Sequence, residues 1–196
     1  MTTLLASWLP WLTRHLTGVR AEGIHNEPRQ SIYCVNHASH LDTLLVLAAL
    51  PAKQRRLTRP VAAADYWGKS GLRRFLTQRM FRAVLLDRQA QGLNPLSDVI
   101  DALQQGDSLI YFPEGTRGPG GRLQSLQAGV YYLARAFPQV DIVPVHVHGS
   151  HRILPKGASL PRLAACSVAI GQPMRWDGEG QEEFLKRLRT AMEHLA

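Results

Sequence analysis

The chain has 196 residues, 45% apolar and 19% charged, with 12 prolines and 16 glycines scattered along it. That is enough for one domain with its own core, too short for two, and too apolar for a disordered chain. A formal charge of +8 comes entirely from one stretch, since Lys53 to Arg82 holds nine basic residues and one acid and the rest has 14 of each.

The opening residues, MTTLLASWLPWLTRHLTG, lack the basic start of a signal peptide, and Pro10, Arg14 and His15 interrupt them well before the roughly 18 apolar residues of a membrane span. Leu4, Leu5, Trp8, Leu9, Trp11, Leu12 and Leu16 recur at near-helical spacing. This predicts a short amphipathic helix over 1–18 whose tryptophans suit the boundary of a bilayer.

SIYCVN is predicted to be a buried strand, followed by a turn and a helix over 40–50 that Pro51 ends. The basic segment 52–59 leads into a second strand, PVAAA. From Gly68, GKSGLRRFLTQRMF places Leu72, Phe75, Leu76 and Met80 on one helical side and arginines elsewhere. RAVLLDR reads as a third strand, 95–105 as a helix, and SLIYFP as a strand that runs into a loop, EGTRGPGG.

Leu126 to Phe137 forms a helix that Pro138 stops. DIVPVHVHG is a strand whose internal proline favours an edge or a bulge. Residues 153–165 read as an irregular or hairpin insertion, CSVAIG as the last strand, and 181–195 as an amphipathic helix. Strands alternating with helices predict a single layered α/β domain with a largely parallel or mixed sheet flanked by helices. Such folds place their sites at strand ends.

At one such end stands NHASHLD, residues 36–42. Ser39 and Asp42 have the spacing of a helix-capping box, which accounts for Asp42 but not for His37. If His37 lies in the turn before the helix, it can fold back over the first turn. The Asp42 carboxylate would then hold one imidazole N–H and leave the other nitrogen facing an open site, as a general base requires. A zinc reading of His37, His40 and Asp42 lacks a committed further ligand among His146, His148 and His151. Cys34, three residues before His37, offers a nucleophile, although a cysteine inside an apolar strand is ordinarily a small hydrophobe. Both cysteines, Cys34 and Cys166, fit reduced, buried thiols.

Four blocks in order carry a resemblance: NHASHLD with the form N-H-x-S-x-x-D, VLLDR at 84–88, FPEGTR at 112–117 and IVPV at 142–145. Together they resemble the glycerolipid acyltransferase family, that of bacterial 1-acylglycerol-3-phosphate acyltransferases, over roughly residues 30–150. The resemblance implies that His37 takes the proton from a lipid hydroxyl attacking an acyl thioester, with Asp42 orienting and charge-compensating it. It assigns Arg88, Glu114, Gly115, Thr116 and Arg117 to the acceptor's phosphate, and Pro144 to the acyl-donor side. A planar guanidinium suits phosphate, and a glycine permits close backbone approach.

The amphipathic pattern at the start and the resemblance after it together divide the chain into a membrane-associating segment, 1–18, and an acyltransferase domain, 19–196. It implies a lysophospholipid acceptor, acyl-CoA or acyl-carrier protein consumed as donor, and no resident cofactor or metal. It also implies phospholipid biosynthesis at the cytoplasmic face of the cell membrane, the protein being peripheral or monotopic. The basic stretch fits an anionic membrane surface, where each cation is worth up to about 1 kcal/mol. With no reading motif and no spread of stacking aromatics, it fits nucleic acid poorly. VLLDR has only leucines where an aromatic is usual, and TRGPGG makes an uncommon turn, so lyso-ornithine lipid or another lysolipid stays open as acceptor. A non-enzymatic basic lipid- or nucleic-acid-binding module is the alternative outside enzymes.

Overall fold

A computed structural model describes residue 13 and residues 19–23, 29–64, 81–86, 95–118, 122–153 and 165–196. The expected helices over 1–18 (Thr13 apart) and from Gly68, most of the 153–165 insertion, and Arg88 lie outside the described residues.

Seven strands form one sheet: β1 (Arg20–Glu22), β2 (Ser31–Val35), β3 (Thr58–Ala63), β4 (Val84–Leu86), β5 (Ser108–Tyr111), β6 (Asp141–His148) and β7 (Ser167–Ile170). Their order is β1-β7-β6-β2-β5-β3-β4. Only the β6–β7 pairing is antiparallel. The described helices are α1 (Asp42–Ala49), α2 (Ala52–Leu57), α3 (Ser97–Gln104), α4 (Gly129–Ala136), α5 (Ser150–Ile153) and α6 (Gln181–Glu193). The expected α/β layering is therefore present, with three additions: β1, α2 and the one-turn helix α5 after β6. The three-residue strand β1 is too short to leave a pattern in sequence, and the basic segment after Pro51 is helical.

Alternation along β2 divides the core. Ile32 and Cys34 face α3, α4 and α6, whereas Tyr33 and Val35 face α1. Phe184, Leu188 and Met192 anchor α6 with no exposed surface, and each fully buried side chain of this size contributes roughly 1.5–3 kcal/mol. Because α1 packs almost all round, its sequence DTLLVLAA is nearly continuous in apolar residues.

Pro144 lies in an interior strand, not at an edge, and the bulge alternative is the one realised. Val145 pairs with Ile170, but Ile142 pairs with Met174, so one extra residue is accommodated on the partner side. Pro144 offers its carbonyl there to the Gly171 N–H at 2.8 Å. Lacking an N–H, Pro144 gives the ladder an acceptor but no donor, which an irregular step tolerates better than a regular one.

β2, β5 and β6 are adjacent and parallel. Their C-terminal ends bring together the chain that follows each of them. The described cations of the basic stretch lie at the other end of the sheet. Arg55 donates to the carbonyls of Leu47 and Leu50, closing the end of α1. Arg59, at the start of β3, pairs with Asp107 at 2.8 Å and donates to the Arg82 carbonyl. The Arg82 guanidinium donates to the Arg56 carbonyl at 3.2 Å and lies 3.8 Å from Asp107, so three cations of this stretch serve the fold, while Lys53 and Arg56 are exposed.

Candidate active site

β2 ends at Val35, and the Asn36 side chain extends its ladder by one step: Oδ1 accepts the Val147 N–H at 2.7 Å and Nδ2 donates to the Val147 carbonyl at 3.3 Å. An amide side chain here imitates a peptide group and ties the following turn to β6. This residue received no role from sequence, although an asparagine directly after a buried strand is the signal for such a clamp.

Asp42, the first residue of α1, is fully buried. One of its oxygens, Oδ2, accepts from His37 Nδ1 at 2.9 Å and from the N–H groups of Ala38 and Ser39, both at 2.8 Å. The cap and the imidazole partner foreseen as rival readings are therefore the same atom. The Ser39 hydroxyl accepts the Leu41 N–H at 3.3 Å, so it reaches into the first turn as its spacing indicates. Asp42 Oδ1 has no hydrogen-bond partner among the described residues.

A buried carboxylate on Nδ1 selects the tautomer with its proton there, leaving the Nε2 lone pair unprotonated. Nε2 has no partner among the described residues, and the His37 side chain is 20% exposed. The ring stacks on Phe112 with centroids 4.1 Å apart, which removes most of its rotational freedom.

The FPEGTR loop after β5 grips His37 through the backbone. Cys34 pairs with Tyr111 in the parallel register, and the same offset of 77 brings Glu114 opposite His37. Glu114 Oε1 accepts the His37 N–H at 2.7 Å, and Oε2 accepts the Gln124 N–H at 2.8 Å. The Gly118 N–H donates to the His37 carbonyl at 2.8 Å. The Glu114 carboxylate, 5% exposed, thus has both oxygens on protein backbone. Gly115 turns the loop at φ +72, a conformation costly for any residue with a Cβ. Beyond it Thr116 is exposed. Arg117 is half-buried, with no hydrogen-bond or ion-pair partner among the described residues.

The structure therefore gathers His37, Asp42, Glu114 and Gly115 at one point and carries Thr116 and Arg117 on the same loop. It does not bring Pro144 there. That residue pairs with Cys34 in β2, three residues before His37. β4 runs parallel to β3, which runs parallel to β5, so β4 ends, at Leu86, on the same side of the sheet as the site; Arg88 itself lies outside the described residues.

Cys34 is wholly buried in the core, and desolvation pushes its thiol well above the usual range, which removes the thiolate a nucleophile needs. His146 and His148 lie at the end of β6 with ring centroids 4.5 Å apart. Burial first, then the neighbouring His148, pushes His146 down to about 4. Among the described residues no three His, Cys, Asp or Glu side chains are grouped as a metal site requires.

The model of a family described as Acyltransferase matches residues 18–148, from the start of the sheet to the end of β6. The chain belongs to the acyltransferase family. It is 31% identical over 148 residues to the chloroplastic 1-acyl-sn-glycerol-3-phosphate acyltransferase of Arabidopsis thaliana, covering 71% of the chain and 38% of the relative. It is 28% identical over 165 residues to the lyso-ornithine lipid O-acyltransferase of Rhizobium meliloti, covering 74% of the chain and 52% of the relative. The chain spans between 38% and 65% of the length of the curated relatives it matches. Its fold is that of the crystal structure of a 1-acyl-sn-glycerophosphate acyltransferase from Thermotoga maritima. That likeness has a TM-score of 0.76 and 20% identity, and covers 99% of this chain and 78% of that one. Among the described residues no helix is long and apolar enough to cross a membrane.

Proposed function

We propose that this acyltransferase moves a fatty acyl group from an acyl thioester to the free hydroxyl of a lysophospholipid, 1-acylglycerol-3-phosphate above others, in phospholipid synthesis. The observation that carries the proposal is the His37–Asp42 pair, its Nε2 unpartnered among the described residues, on a turn clamped by the loop that bears Arg117.

The reaction is a single displacement. As the acceptor oxygen attacks the thioester carbon, its proton passes to His37 Nε2. Buried Asp42 compensates the imidazolium that forms, and the C–S bond breaks as the proton passes on to the leaving sulfur. A lysolipid hydroxyl is a very weak acid, so a positioned base is worth roughly 10²–10⁴-fold in rate. Arg117, joined by Arg88, holds the phosphate and so places the hydroxyl, and orientation of this kind supplies a further part of the barrier reduction. Glu114 acts through the backbone, and Gly115 lets the loop turn.

Acyl-CoA or acyl-carrier protein is the donor, and no resident metal or organic cofactor enters these steps. The protein acts as a peripheral or monotopic enzyme at the cytoplasmic membrane face, with the basic stretch toward anionic lipid. The Rhizobium relative favours one second reading, in which the acceptor is a lyso-ornithine lipid and Arg117 meets a carboxylate rather than a phosphate.

The test incubates purified protein with labelled acyl-CoA or acyl-carrier protein and a panel of lysophosphatidate, lyso-ornithine lipid and other lysophospholipids. Labelled phosphatidate as the main product is expected. Acylated ornithine lipid instead would select the second reading. No product with any acceptor, together with vesicle binding indifferent to His37→Ala, would leave a lipid-binding module.

A further inference from the structure

We infer that Arg189, on the C-terminal helix α6, is a positioning residue for acyl transfer, acting on His37 through Gln124 and Glu114; this rests on the function proposed above. Segment 122–127 follows the FPEGTR loop and has no regular secondary structure of its own; Leu123 and Leu126 pack on the core and the Gln127 N–H donates to the Pro113 carbonyl, which leaves the orientation of the Leu123–Gln124 peptide to its own hydrogen bonds. Arg189 grips it by two consecutive carbonyls: Nη2 donates to Gln124 O, and Nη1 donates to Leu123 O at 3.4 Å. Glu193, one turn further along α6, pairs with Nη1 at 3.0 Å.

The carbonyl of Leu123 and the N–H of Gln124 belong to one peptide group. That N–H donates to Glu114 Oε2 at 2.8 Å, while Glu114 Oε1 takes the His37 N–H at 2.7 Å. A cation on the carbonyl side of a peptide polarises it and strengthens the bond its N–H donates. Gln124 also reaches forward with its side chain, Nε2 donating to the Thr116 carbonyl at 3.4 Å. That amide packs on Gly118, where an added Cβ would fall 2.7 Å from it. Gly118 in turn donates to the His37 carbonyl. The residue Arg189 holds therefore braces both the N–H and the C=O of His37, and with them the loop carrying Arg117.

Helix α6 does not need Arg189 in order to dock. Phe184, Leu188 and Met192 are fully buried and do that. A guanidinium reaching some 65 residues back along the chain to two carbonyls, at the cost of its own mobility, is more than a surface helix requires. Only a planar fork spans two consecutive carbonyls in this way.

The experiment compares wild type with Arg189→Leu and Arg189→Lys in two measurements. The first is amide hydrogen exchange. In Arg189→Leu the His37 and Gln124 amides are expected to exchange about tenfold faster or more while those of Tyr33 and Val130 keep their protection. The second is kcat per folded molecule with lysophosphatidate and acyl-CoA, expected to fall about 10- to 100-fold in Arg189→Leu, the scale of a small misplacement of a catalytic group. Arg189→Lys should recover part of it. Unchanged exchange at His37, or faster exchange with normal kcat, overturns the inference. If Arg189→Leu does not fold, Arg189→Lys is read against the same two criteria. A wild type that transfers no acyl group removes the proposed function, and the exchange measurement then decides the linkage by itself.

Discussion

Replacing Asp42 by asparagine separates the two tasks that Oδ2 performs. In the favourable rotamer the amide oxygen takes the place of Oδ2 and still accepts from His37 Nδ1 and the N–H groups of Ala38 and Ser39, now without charge. The new NH2 group takes the place of Oδ1, which has no partner among the described residues. Charge-assisted bonds are about twice as strong as neutral ones, and a buried donor without a partner costs about 1–3 kcal/mol, so a total destabilisation of about 2–4 kcal/mol is expected.

The effect on turnover has a different origin. Two unit charges about 3 Å apart at an effective dielectric of about 20 attract by roughly 5–6 kcal/mol, an upper guide to what Asp42 contributes once His37 is protonated. Part survives as a dipole interaction, which leaves a loss of about 10²–10⁴ in kcat. The assay is acyl transfer at saturating substrates, normalised to folded protein from urea unfolding of the same preparations, with His37→Ala beside it. A folded Asp42→Asn protein with normal turnover would reduce Asp42 to a structural cap. His37→Ala with normal turnover would remove the base and the mechanism with it.

Arg117→Lys keeps the charge but loses the fork, so the KM for a phosphate-bearing acceptor should rise roughly tenfold while that for the donor stays within a factor of two; initial-rate titration of each substrate checks this, and a rise confined to the donor would refute it. His146 is pushed down to about 4 in the folded protein. The unfolded chain therefore takes up a proton first as pH falls below about 6.5, and stability is lost from there until about pH 4, after which the loss levels off. Discounted for partial exposure, this is about 1–2 kcal/mol, so His146→Gln should lose that much less than wild type between pH 7 and 4.5 in urea unfolding. Arg59→Gln breaks the pair with Asp107 and should cost roughly 1 kcal/mol of stability with little change in vesicle binding. Arg73, Arg74 and Arg79→Gln together should weaken sedimentation with anionic vesicles and lower its salt sensitivity; equal sedimentation at low and high salt would refute a membrane role for the basic stretch.

SIYCV and SLIY are legible as strands because a strand covered on both faces must be apolar throughout. Pro51 and Pro138 mark where helices must stop, and the helix beginning after NHASHL follows from its apolar run. From these local signals the sequence by itself determined the alternating α/β class, the place of His37 before a helix and of Asp42 in its first turn, and the loop after β5. It also left open whether Asp42 is a cap or a partner for His37, since spacing along one chain is the same for both. The tertiary structure decided that Oδ2 does both. It decided as well that β7 runs against β6, that a bulge accommodates Pro144 inside the sheet, and that Arg59 and Arg82 turn to Asp107. Most of all, it set Glu114 against the His37 N–H and Arg189 against the carbonyls of Leu123 and Gln124, across separations of 65 to 77 residues. Such contacts leave no periodicity or spacing to read, because they arise from the parallel register and the docking of α6, which exist only once distant segments have packed.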